Sequence, residues 1–209
     1  AEYVKQGVLQ AQGTPVEFGL IAACDGIAQG HVGMHYILPT RELIANDVEM
    51  MVQAHQLDAV VLLGSCDKIV PGLLMAAARL DLASVCLYAG SIMPGHVGDK
   101  DVTIIDAFEA VGACLAGRIT REEVDKIERA ICPGEGACGG MYTANTMSSA
   151  IEAIGMALPY SSTMAAEDAE KRQSTIESVA ALEAAVRNQL LPSEIMTRKA
   201  FENAIAVIM

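Results

Sequence analysis

Basic residues are scarce: 14 lysines and arginines stand against 26 aspartates and glutamates, for a formal charge of −12. The cations are spread thinly, so nothing in the chain would neutralise a nucleic-acid backbone or hold an anionic membrane surface. Nucleic acid and membrane are excluded as partners, and small molecules or other subunits are expected instead. Long apolar runs are missing too. No stretch reaches the roughly 18 to 20 residues that a bilayer span needs. The opening "AEYVKQGVLQ" lacks the basic-then-apolar layout of a secretory leader, and the reading is a cytoplasmic protein. The six cysteines form no dense framework, which argues against a disulfide scaffold and leaves packed thiols or metal ligands in a reducing compartment.

Apolar mass is what the chain does have. Of 209 residues, 52% are hydrophobic and 19% charged, enough for a sizeable core in a single α/β domain. Residues 1 to 12 predict an amphipathic helix, "PVEFGLIAA" (15 to 23) a short strand, and Thr40 behind Pro39 a helix N-cap. A repeating unit follows: strand "DAVVLLG", loop "SCDKIVPG", helix "LLMAAARLDL", strand "ASVCLYAG". Strands separated by helices imply parallel crossovers, and their continuous apolar character implies that both faces are covered. The expected fold is an open, largely parallel sheet with helices on both faces, followed by a helical C-terminal stretch. The last helix, "TRKAFENAIAVIM", stops without a Gly or Asn cap, which reads as a cut through a larger protein.

In open parallel sheets, ligands bind where loops diverge at the carboxyl ends of the strands. Asp25 in "CDGIAQGHVG" and the trio Cys66, Asp67 and Lys68 in "SCDKIVPG" both fall in such loops. Carboxylate oxygens suit Mg²⁺, whereas thiolate suits iron–sulfur clusters, zinc or copper. One crevice holding both kinds of donor therefore suggests two metals. Lys68 would repel a cation unless it pairs with the aspartates or reacts with CO₂ to become an anionic carbamate. A second thiol pair, Cys132 and Cys138, lies in the Gly-rich loop "CPGEGACGG", although C-x5-C alone is a weak signal.

The stretches "CDGIAQGHVGMHYILPTRELIA", "SCDKIVPGLLMAAARL" and "CPGEGACGGMYTANTM" closely resemble the dihydroxy-acid dehydratase and phosphogluconate dehydratase family. The resemblance covers nearly the whole chain, and the third stretch is worded more like the dihydroxy-acid enzymes. It implies a hydro-lyase that eliminates water from 2,3-dihydroxy acids in branched-chain amino-acid biosynthesis. It also implies Cys66 and Cys138 as ligands of an iron–sulfur cluster, [2Fe–2S] in preference to [4Fe–4S]. Asp25 and Asp67 are implied as Mg²⁺ ligands, with carboxylated Lys68 as a further one. Residues 1–209 would then be the N-terminal domain of a larger dehydratase, itself a homodimer or higher oligomer. Its third cluster cysteine and a C-terminal β-barrel-like domain would lie outside this stretch, leaving the fragment inactive alone. The alternatives are a phosphogluconate or sugar-acid dehydratase and, from another class, a non-catalytic iron–sulfur or zinc module.

Plainer readings cover the other candidates. Cys24, Cys86 and Cys114 are expected in the core, with lining of the cluster pocket as an alternative for Cys24. Cys132 is held in reserve as a ligand. His31 and His35 are loop hydrogen-bonding residues before they are substrate contacts, and His55 and His96 are structural. "GEGACG" matches a dinucleotide fingerprint literally but follows a helix, where such a fingerprint must follow a strand. "AAEDAEKRQ" reads as a solvated helix start.

Overall fold

A computed structural model describes residues 1–209. In chain order the elements are α1 (Glu2–Gln10), α2 (Asp25–Ala28), a short 3-10 turn (Val32–Tyr36), α3 (Thr40–His55), β1 (Val60–Gly64), α4 (Ile69–Leu80) and β2 (Ser84–Tyr88). They continue with β3 (Gly95–Val97), β4 (Lys100–Val102), α5 (Ile104–Leu115), α6 (Arg121–Ala130), α7 (Thr143–Ile154), α8 (Ala169–Asn188), α9 (Pro192–Ile195) and α10 (Arg198–Ile208).

Strands β1 and β2 pair in parallel, with Val60 opposite Ser84 and Gly64 opposite Tyr88, and α4 is the crossover between them. Side chains alternate across the pleat. Val60, Leu62 and Cys86 enter the main core with Ile44 and Val48 of α3, Leu73 and Ala77 of α4, and Ile151 of α7. Val85, with Ala83 just before β2 and Val61 beside them, packs instead against Leu182 and Ala185 of α8. Helices therefore cover both faces of a small parallel sheet, which makes the fold α/β as the sequence pattern predicts.

Close helix crossing strengthens the main core. Buried residues of α3 fall at Ile44, Ala45, Val48 and Val52, a stripe one turn wide. Opposite it, Gly72 of α4 sits where a Cβ would lie 3.1 Å from both the Arg41 carbonyl and Ile44. Ile44, Ala45, Val48, Ala76 and Ala77 are wholly inaccessible, and each large one stabilises the fold by about 1.5–3 kcal/mol through burial.

Two local expectations are corrected, and one element is added. Residues 15 to 23 form no strand; Phe18 and Leu20 lean on the main core as single side chains, so apolarity is satisfied without a ladder. Thr40 is the first helical residue and Pro39 the N-cap, because the Thr40 hydroxyl donates backwards to the Ile37 carbonyl at 2.6 Å and caps nothing ahead of it. The antiparallel hairpin β3–β4 was not expected, yet Gly98 and Asp99 between Val97 and Lys100 are the Gly-Asp signal of a two-residue turn.

Candidate active site at the strand ends

Strand β1 ends at Gly64, and the next four residues turn into α4 with the Cys66 carbonyl accepting the Ile69 and Val70 amides, both at 3.1 Å. That compact turn leaves Lys68 as the N-cap residue of α4. An ammonium there faces the positive end of the helix dipole, and two carboxylates compensate. Lys68 Nζ donates to Asp25 Oδ2 at 2.7 Å and to Asp67 Oδ2 at 3.1 Å. All three side chains are 17–20% exposed. Burial works against the Lys68 charge, but the hydrogen bonds to Asp25 and Asp67 outweigh it and hold its pKa above the usual lysine value.

Asp25 arrives by a route the sequence did not predict. It opens the four-residue helix α2 instead of following a strand, and still reaches Lys68. Its second oxygen, Oδ1, is buried without any hydrogen-bond partner, which is costly for a carboxylate and leaves a hard donor atom free. The other oxygen of Asp67, Oδ1, accepts the Ala144 amide at 3.2 Å in the first turn of α7.

The thiols gather at the same edge. Burial raises the Cys66 pKa, nearby Cys24 and Asp67 add to the rise, and the Asp67 backbone amide partly offsets it. Cys24, expected in the core, is in fact exposed and close enough to Cys66 to influence it. Cys86 is the true core thiol, pushed up to about 12 by burial. Cys138 is brought in by the chain beyond β2, where Ser91 bridges Ala137 on one side and Ala165 on the other. Gly136 permits that approach: its φ is +139°, and a Cβ would stand 2.5 Å from the Ile92 nitrogen. Burial, and then the charge of Cys138, raise the Cys132 thiol.

Tyr88, the last residue of β2, is close enough to both Cys66 and Cys138 to feel their charges. Burial and then the charges of Cys138 and Cys66 hold its hydroxyl in the neutral form, and it donates to Asn145 Oδ1. Asn145 and Tyr88 were both missed by sequence reasoning, although an asparagine in a helix's first turn, where it competes for backbone hydrogen bonds, was a usable signal. Lys171 was misread as part of a solvated helix start. It is 6% exposed, donates to the Ser161 carbonyl at 2.9 Å and stands over the Tyr88 ring. Nothing in its i, i+4 neighbourhood marks it as buried.

The histidines serve the backbone. His31 bonds through Nε2 to the Ile27 carbonyl at 2.8 Å and accepts the Gly33 amide at Nδ1 at 3.0 Å, a pattern that fixes the neutral Nε2–H tautomer. His35 is exposed, His55 bonds the Met51 carbonyl, and His96 pairs with Asp101. No three His, Cys, Asp or Glu side chains converge closely enough to enclose a metal by themselves. Lys68 stands between the carboxylates that would have to do so. In kind, however, the donors fit: free hard oxygen at Asp25, a second carboxylate at Asp67, and thiols at Cys66 and Cys138.

Fold and site together define an α/β domain with hard and soft donors at the carboxyl edge of a parallel sheet. The chain belongs to the dihydroxy-acid/6-phosphogluconate dehydratase family, whose N-terminal model matches residues 1–209. It is 61% identical to a dihydroxy-acid dehydratase of Nocardioides sp., 58% to one of Mycobacterium sp. (strain JLS) and 57% to one of Mycobacterium tuberculosis. All of this chain is covered in each case, but only 37% of the relative's length. No helix is long and apolar enough to cross a membrane.

Proposed function

We propose that this chain is the N-terminal domain of a dihydroxy-acid dehydratase, a cytoplasmic hydro-lyase. It would convert 2,3-dihydroxyisovalerate and 2,3-dihydroxy-3-methylvalerate to 2-keto acids for valine and isoleucine synthesis. Loss of the C2 proton and the C3 hydroxyl as water gives an enol, which tautomerises to the ketone. Identity above half with enzymes of that name supports the substrate class. The remaining parts of the active site, a C-terminal β-barrel-like domain among them, would come from the rest of the protein, which would work as a homodimer or higher oligomer.

The observation that carries the reading is the Lys68 ammonium clamped by Asp25 and Asp67, two residues from the Cys66 thiol and next to a buried, unpartnered carboxylate oxygen. Asp25, Asp67 and carboxylated Lys68 would hold Mg²⁺, and Cys66 with Cys138 would hold an iron–sulfur cluster, [2Fe–2S] in preference to [4Fe–4S]. When bound, the two centres would supply charge stabilisation as the C2 proton leaves and a Lewis acid for the departing hydroxyl. Carboxylation replaces the Lys68 cation with an anion, the sign that the α4 N-terminus favours. Asp67 is oriented by the Ala144 amide, so its free direction stays toward Lys68.

An oxygen-free assay of the complete protein tests the reading, following keto-acid formation from 2,3-dihydroxyisovalerate, 6-phosphogluconate and a sugar acid in parallel. Strong preference for dihydroxyisovalerate is expected. Preference for either sugar substrate would move the protein to the other branch of its family.

A further inference from the structure

Cys138 sits in a glycine-rich loop near the site. The segment "GEGACGG" contains Gly134, Gly136, Gly139 and Gly140, and glycine loses more conformational freedom on ordering than any other residue. Ahead of Cys138 the chain is pinned at Ala137, which donates to the Gly90 carbonyl and accepts the Ile92 amide, both at 2.8 Å. Behind it, apart from a longer bond from the Thr146 hydroxyl to the Met141 carbonyl at 3.3 Å, the pin is one side chain. Asn145 Nδ2 donates to the Cys138 carbonyl at 2.7 Å and to the Gly140 carbonyl at 2.6 Å. Both amide protons are thereby used, one on the Cys138–Gly139 peptide and one on the Gly140–Met141 peptide.

The third polar position of the carboxamide fixes its orientation. Asn145 Oδ1 accepts the hydroxyl of Tyr88, a residue 4% exposed at the end of β2. Turned over, the amide would set its oxygen against two carbonyl oxygens, so only one orientation satisfies the network. Adjacent to it, the Ala144 amide holds Asp67, the neighbour of Cys66. One turn of α7 thus grips the loop of Cys66 with one residue and the loop of Cys138 with the next.

We propose that Asn145, braced by Tyr88, is the positioning residue that sets Cys138 relative to Cys66 for joint ligation of a metal–sulfur centre. This rests on the function proposed above. A group held by thiolates from separate loops binds well only when those loops are already at the right separation, and partners one step behind a metal ligand commonly govern affinity by about 10–100-fold.

The test uses the complete protein with Asn145→Ala and Tyr88→Phe substitutions, the second removing only a hydroxyl. Alkylation of Cys138 by iodoacetamide is timed in the metal-free protein, and iron affinity and the visible spectrum are measured after anaerobic reconstitution. Asn145→Ala should alkylate Cys138 about tenfold faster, leave the Cys66 rate unchanged, weaken iron binding about 10–100-fold and alter the shape of the visible spectrum. Tyr88→Phe should move each quantity the same way by a smaller factor, and it decides the matter if Asn145→Ala does not fold. Wild-type iron affinity and spectrum in a folded variant would overturn the proposal, whatever the alkylation rate. Wild-type protein that binds no iron would instead overturn the reading of the site on which the proposal rests.

Discussion

The packed middle of the β1–α4–β2 unit, with α3 against it, and the unit's carboxyl edge are built by opposite rules. Around its middle, Ile44, Ala45, Val48, Ala76 and Ala77 are completely buried and make contacts that any well-shaped apolar side chain could make. At its carboxyl edge the important side chains are polar, partly exposed and held by specific bonds: Lys68 by two aspartates, Asp67 by an amide, Asn145 by three partners. The lesson is that stability and chemistry are separable here, although they use the same strands. Two lysines, Lys68 partly buried and Lys171 fully so, show the difference in miniature. Lys68 has two carboxylates in contact and keeps its charge. Lys171 has a carbonyl and a ring as contacts, with Asp168 and Glu152 acting only from farther off, and burial lowers its pKa to about 8.

The separation is broken or sharpened by substitutions in either region. The largest effect is expected from Cys66→Ala in the complete protein, which should lower bound iron at least about tenfold while the unfolding midpoint of the metal-free protein barely moves. Iron content and visible spectrum equal to wild type would remove Cys66 from the ligand set. Ile44→Ala should do the reverse, costing about 2–5 kcal/mol in urea unfolding and leaving iron per folded molecule unchanged.

Lys171 gives an intermediate effect with a definite sign. Its folded pKa of about 8 lies below the ordinary 10.5, so between those values the unfolded chain binds more protons and stability rises with pH. Below about 8 both states are charged and the folded state carries the full burial penalty, at most about 3 kcal/mol. Lys171→Met should therefore flatten the stability profile between pH 8 and 10.5 relative to wild type. Parallel profiles in urea titrations at several pH values would contradict this. Thr120→Ala is expected to be the smallest perturbation. It removes the α6 capping box, in which Thr120 Oγ1 accepts the Glu123 amide, for about 1 kcal/mol, with no change in iron content.

The sequence was most readable where one physical rule acted alone. The apolar runs at 60–64 and 84–88 and the stripe of α3 followed from periodicity, because burial dominates there. The residue types at 25, 66, 67, 68 and 138 were legible as donors, and the structure brings Asp25, Asp67 and Lys68 into contact. Cooperation between distant parts was not legible. Asp25 reaches Lys68 from a helical turn where a loop leaving a strand was expected, and the strand itself is absent because Phe18 and Leu20 find burial without pairing. Asn145 and Lys171 owe their environments to partners at positions 88, 138, 140 and 161, and no local pattern encodes those separations. The hairpin β3–β4 did carry its signal, in Gly98 and Asp99.

The central claim is that one mouth holds two donor sets serving two different metals, soft at Cys66 and Cys138 and hard at Asp25, Asp67 and Lys68. Its most direct test is iron content and Mg²⁺-dependent turnover, measured together on the complete Asp67→Asn protein prepared without oxygen. The account predicts wild-type iron with Mg²⁺-dependent turnover lost. Full turnover, or iron lost in parallel, would contradict it.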